Sequence, residues 1–219
     1  MSETNPAPVN APPFPSDGAR RIRDIFFAAF FFCAATIAMT WPLVTDLRHS
    51  VTDPGVPFFV SWILHWDWHA VRGHVPVFDA NIFYPSRHSL LFSENLFGVA
   101  PLGYPLFALG AEPIFVHNVL LMLGIFLSGF GAWLFAYDVT RRPSAALVCG
   151  VIYAFSPARS ATLSYFQTQW AGFLPLTFLF LRRAFERGGG ATLHSTAPSS
   201  SGTRSHVSIS GSSERSAPP

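Results

Sequence analysis

The chain has 219 residues, half of them hydrophobic and only 12% charged, against about 25% charged residues in a soluble domain. A chain so apolar cannot cover itself with polar surface, which excludes an ordinary water-soluble globular domain and makes lipid the expected solvent. All fourteen basic residues are arginine, and a net charge of +2 gives no reason to expect nucleic acid as a partner.

In chain order, residues 1–19 are rich in Pro, Ala, Ser and Asn, lack apolar periodicity, and are expected to form a disordered tail. Arg20, Arg21 and Arg23 then precede the run 25–44, which carries no charge. As a helix those twenty residues reach about 30 Å, the thickness of the hydrocarbon core. Trp41 suits the membrane interface and Pro42 stops the helix. The run is too long for a cleaved signal peptide and no small-x-small site follows it, so an uncleaved first span is expected. The arginines place its N-terminus in the cytoplasm, within the cytoplasmic membrane.

Residues 45–92 form the expected first extracytoplasmic loop. They hold Asp46, Asp53, Asp67 and Asp79 and five of the eight histidines. Inside them the run 57–71 is apolar but too short to span, and is predicted to be an interfacial helix anchored by Trp62, Trp66 and Trp68. The segment 96–110 is broken by Gly98, Pro101, Gly103 and Pro105, and reads either as a kinked span or as a re-entrant segment. The run 114–137 is a clear span, with Gly124, Ser128 and Ala132 spaced for close helix approach. Segments 144–156 and 170–181 are shorter apolar stretches expected to cross when extended. From Gly188 to the end the sequence is polar and of low complexity, read as a disordered tail or the end of a truncated reading frame.

These readings give an all-α protein: a polytopic transmembrane helix bundle of four or five spans over 20–187, with interfacial helices in the first extracytoplasmic loop. A re-entrant 96–110 puts the arginine pairs 141–142 and 182–183 both on the cytoplasmic side, which the charge rule prefers. Cys33 and Cys149 lie inside apolar runs and read as packing residues, without disulfide or metal pairing.

Acidic groups beside a bilayer are costly to desolvate, which makes them functional candidates. Asp53, in TDPGVPF, either starts a turn or caps a helix, or presents a carboxylate as general base or as ligand to a divalent cation. Glu94 either favours a helix N-terminus with Ser93 as cap, or projects into the same cavity as Asp53. His65 and His69 share a helix face at i, i+4 but lack a zincin-type glutamate, so no metal site is expected there and polarity on an interfacial helix is the plainer reading. Asp79 and Asn81 organise loop backbone through Asx-type hydrogen bonds. Arg87 either faces lipid headgroups or holds a departing phosphate. Asp53 and Glu94 are thus the candidate catalytic pair, and Arg87, Asp79 and His69 the candidate substrate-binding residues.

The runs TWPLVTDL, DPGVPFFVSWILHWDWHA, FDANIFYPSRHSLLFSENLFG and YDVTRRPSAALVCGVIYAFSPAR resemble the N-terminal part of the bacterial multi-pass membrane glycosyltransferases of the GT-C fold. These are akin to the protein mannosyltransferase and lipid A aminoarabinose transferase group. The resemblance covers about residues 24–187. It implies a polyprenyl-phosphate-linked sugar donor, an acceptor at the outer face of the membrane, and a catalytic acid near the start of the first loop, where Asp53 stands. One departure is visible: relatives read Asp-Pro-Gly-Asp-Pro, whereas this chain has Val56 in place of the second Asp. The alternatives are a catalytically inactive membrane fragment of that family, or a transporter or scaffold subunit. The lack of an internal repeat and of charge within the spans weighs against transport.

Overall fold

The computed structural model describes residues 17–195, with side chains described for 18–186. Among these residues every regular element is helical: α1 (Asp17–Met39), α2 (Val56–Gly73), α3 (Ala100–Ala108), α4 (Pro113–Thr140), α5 (Pro143–Phe155), α6 (Pro157–Ala161), α7 (Phe166–Gln169) and α8 (Phe173–Ser195), with 3-10 turns at Leu43–Thr45 and Ser89–Phe92. Proline punctuates this order. Helices α2 to α6 each carry one at the first or second position, where a missing N–H costs nothing and the fixed φ is already helical.

Among the described residues two helices are long and apolar enough to cross a membrane, α1 and α4. The first is displaced from its expected place at 25–44. It begins at Asp17, inside the stretch expected to be a tail, and stops at Met39, because a residue preceding proline is steered away from the helical region and Trp41 precedes Pro42. The remainder of the expected tail, residues 1–16, lies outside the described residues. The segment 96–110 yields a nine-residue helix, α3, reaching only about 14 Å. It cannot cross on its own. Segment 170–181 resolves differently again: the chain is irregular from Ser156 to Gly172 apart from two short helices, and α8 starts at Phe173. Helix α8 also runs through Gly188, where a tail was expected, to Ser195; residues 196–219 lie outside the described residues.

The described residues fall into two compact units, one ending at Leu181 and the other beginning at Arg182. In the second, the Arg182 guanidinium lies 2.9 Å from Glu186 one turn on. In the first, α4 is the hub against which α1, α2, α3, α5 and α7 all pack. Helices α1 and α4 run antiparallel. Tyr137 near the end of α4 donates to Asp24 near the start of α1 (3.4 Å), while Asn118 near the start of α4 donates to the Leu47 and Ser50 carbonyls just beyond α1 (2.9 and 2.8 Å). Midway, the Phe32 ring is wholly buried against two glycines. A methyl group on Gly150 would lie 2.7 Å from the Gly129 carbonyl oxygen and overlap the Phe32 ring. Only glycine admits the ring there. The hydroxyls of Thr36 and Thr40, buried on α1, bond back to the carbonyls four residues earlier at 2.8 Å, so neither is left unsatisfied.

The irregular stretch 156–172 lies along one stripe of α4. His117 meets the Phe166 ring, Gly124 faces the Trp170 indole, Ser128 donates to the Gln169 carbonyl (2.8 Å), and Gly131 approaches the Gly172 carbonyl. A broken helix frees carbonyls that an apolar setting cannot solvate. Here Arg159 donates to Thr168, Ser128 to Gln169, and Tyr153 to Ala171. Side chains thus replace the missing backbone donors.

Overpacking a filled site costs roughly 1–3 kcal/mol. Gly150→Val should therefore lower the thermal unfolding midpoint clearly, whereas Gly98→Ala, at a glycine with open space around it, should leave it in place. Equal midpoints for the two variants would remove the glycine slot as a determinant of packing.

Candidate functional site

At the Asn118 end, the chain beyond α1 folds over the start of α4 and encloses a cleft of about 400 Å³. Its walls include Thr40, Trp41, Thr45, Ser50, Thr52 and, from the irregular stretch, Leu163. Four hydroxyl-bearing residues and one indole give it polar and aromatic surface together. The Thr52 hydroxyl oxygen is buried there with no hydrogen-bond partner in the protein.

Asp53 follows Thr52 directly, on an exposed turn leading into α2. Its Oδ1 accepts the Gly55 backbone N–H at 2.8 Å, an Asx turn that shapes the approach to the helix. Glu94 caps no helix. Helix α3 begins six residues later at Ala100, with Val99 at its cap position, and Ser93 instead ends the 3-10 turn. The Glu94 carboxylate is hydrogen-bonded by the Gln167 side-chain amide, tying the irregular segment before α3 to α7. Neither acid is among the residues lining the cleft.

Asp79 works on its own loop. One of its oxygens accepts the His88 backbone N–H at 2.7 Å and lies 3.0 Å from the His88 ring, while Ser89 donates to the Ala80 carbonyl (2.6 Å). Arg87 is exposed within the loop so closed. His69 is exposed on α2 with its ring 5.6 Å from Trp66, and His65 rests on Phe107 at 5.6 Å. No hydrogen bond or ion pair joins any two of Asp53, Glu94, Arg87, Asp79 and His69. Among the described residues no group of three or more His, Cys, Asp or Glu side chains is arranged to hold a metal ion.

The tryptophans of α2, expected as interface anchors, also pack within the protein. Phe59, Trp62 and Trp66 form a stack at 5.9 and 6.2 Å, the Trp66 indole donates to the Val77 carbonyl (2.7 Å), and Trp68 lies over Phe107.

Three groups stand out that the sequence reading did not select. Asp67 is wholly buried, with neither carboxylate oxygen hydrogen-bonded within the protein. It occupies a core position because Val60, Ile63, Leu64 and Asp67 follow the i, i+3, i+4, i+7 stripe of a helix. Burial raises its pKa to about 6. Arg48, five residues ahead of Asp53, lies over the Phe115 ring at 5.6 Å and lines a second cleft of about 230 Å³ together with Glu112. His117, also wholly enclosed, engages Asn118 through Nδ1 (3.1 Å) and leaves Nε2 without a partner in the protein.

The raised pKa of Asp67 fixes a pH dependence. An unfolded aspartate titrates near 3.9, so between about pH 4 and 6 the folded chain holds a proton that the unfolded chain has released. Stability therefore falls as pH rises through that window and stays lower above it, by at most about 3 kcal/mol. Asp67→Asn should flatten the fall in thermal midpoint between pH 4 and 6; an unaltered slope would exclude Asp67 as its source. No family model, curated protein or solved structure matches the chain.

Proposed function

We propose that the chain is a multi-pass protein of the cytoplasmic membrane that transfers a sugar from a polyprenyl-phosphate donor to an acceptor at the outer surface. The observation that carries this reading is the cleft at the far end of α1. It has about 400 Å³ of space, the hydroxyl-bearing residues Thr45 and Ser50 in its walls, the Trp41 indole for a sugar face, and the Asp53 turn immediately beside it. The membrane placement draws on α1 and α4, long and apolar enough to span. With α1 entering from the cytoplasm, its antiparallel partner α4 returns there, and Arg20, Arg21 and Arg23 share that side with Arg141 and Arg142. This is the arrangement the positive-inside rule favours; α3 is too short to cross, and on this reading α2 lies along the outer surface.

In the proposed reaction the acceptor hydroxyl gives its proton to Asp53, and its oxygen attacks the anomeric carbon as the bond to the phosphate oxygen breaks. The polyprenyl phosphate leaves carrying the negative charge. An arginine beside that oxygen would stabilise it. Arg87 and Arg48 are the candidates: Arg87 is exposed on its own loop, Arg48 lines the second cleft with Glu112, and neither lines the cleft beside Asp53.

A second reading, a membrane scaffold without catalysis, is favoured by the Asx turn that engages Asp53 Oδ1 and by Val56. The two separate on one measurement. Asp53→Asn keeps the turn's acceptor oxygen, yet should lower sugar transfer from a polyprenyl-phosphate donor in membranes by about 100-fold or more, the usual worth of a general base. Transfer that is undiminished in the variant rejects Asp53 as the base, and absence of transfer in the unaltered chain favours the scaffold.

A further inference from the structure

The end of the first unit opposite the cleft carries a pocket of its own. It measures about 260 Å³ and lies where the start of α1, the end of α4 and the start of α5 meet, lined by Asp24, Phe27, Trp133, Pro143, Ser144 and Leu147. The Trp133 indole donates to the Pro143 carbonyl at 3.3 Å, and Tyr137 donates to Asp24, so the three helices are tied together around it. Its walls are apolar rings and a leucine, and its polar groups are the Asp24 carboxylate and the Ser144 hydroxyl.

Around that pocket the charge is one-sided. Arg20, Arg21 and Arg23 stand on the first turns of α1, Arg141 caps the end of α4, and Arg142 caps the start of α5. Three aspartates lie among them, Asp17 at the start of α1, Asp24 and Asp138. Asp24 is 3.4 Å from the Arg23 guanidinium, and Asp138, one turn before Arg141, is 3.8 Å from it. The arginines outnumber the carboxylates, and the first turn of the thirteen-residue helix α5 adds the positive end of its dipole at Pro143 and Ser144. Phe27, on the rim, is 63% exposed.

Resting on the membrane reading above, we propose that this pocket binds an anionic phospholipid. An acyl chain lies along Phe27, Trp133 and Leu147, and the phosphate sits at the start of α5 beside Arg142, which caps that helix, outside the wall formed by the Asp24 carboxylate. Charge complementarity selects the headgroup, because a juxtamembrane arginine favours an anionic lipid about fivefold. The apolar walls select a lipid over a free anion.

The test uses the purified full chain in an uncharged detergent, offered equal amounts of phosphatidylglycerol and phosphatidylethanolamine, with retained lipid read by native mass spectrometry. Phosphatidylglycerol should be retained about tenfold over phosphatidylethanolamine, and Arg141→Gln combined with Arg142→Gln should cut that preference by about fivefold or more. Leu147→Trp fills the pocket and leaves every charge in place; it should reduce retention as well. Phe27→Ser, at an exposed rim position, removes a wall without entering the core and should act in the same direction. Equal retention of the two lipids by the unaltered chain overturns the proposal, as does a preference that survives both pocket variants, since surface charge alone would then hold the lipid. The membrane reading fails separately, if the chain stays in solution without detergent.

Discussion

The seating of the Phe32 ring between Gly129 and Gly150 sets the register on which the first unit depends. The pairing Phe32 with Gly129 and the pairing Asp24 with Tyr137 are eight positions apart on both helices, so the two helices stay in step with one another. Between apolar helices there is little hydrophobic force to fix such a register, because the alternatives bury equal surface; close fit between small and large residues does it instead. Once α1 is held against α4, the arginines gather at one end and the Asp53 turn with its cleft at the other.

The apolar runs of α1 and α4 were legible because a long uncharged stretch has few other interpretations. The ends of α1 were less so. Its start depends on backbone hydrogen bonding in a polar stretch that composition alone reads as tail, and its end at Met39 on Pro42 three residues further on. The interruption at 156–172 was not legible at all. Nothing in that stretch announces that Arg159, Ser128 and Tyr153 supply donors to its carbonyls, since two of the three donors come from other elements.

Among the candidate residues, local chemistry was read more readily than placement. Asp79 does close its loop, but through the His88 backbone N–H nine positions on and not through the local Asx-type bond expected for it. Glu94 meets Gln167, seventy-three positions on, and no spacing rule predicts such a contact. Asp67 was open to a better reading: its place in the apolar stripe of α2 is written in the sequence, but the neighbouring histidines and tryptophans drew the helix toward a surface interpretation. Burial then converts an ordinary aspartate into a group that changes charge near neutrality.

Helices α4 and α5 are joined through Arg141 and Arg142 alone, and α5 has thirteen residues. That brevity bears on how the protein is made. A link of two residues leaves no room for one helix to settle in the bilayer before the next emerges from the ribosome, and thirteen apolar residues are too few to be recognised by an insertion machinery by themselves. On the membrane reading proposed above, the pair would enter as a single hairpin, α5 carried in by α4, with the two arginines held back at the surface as the turn is formed.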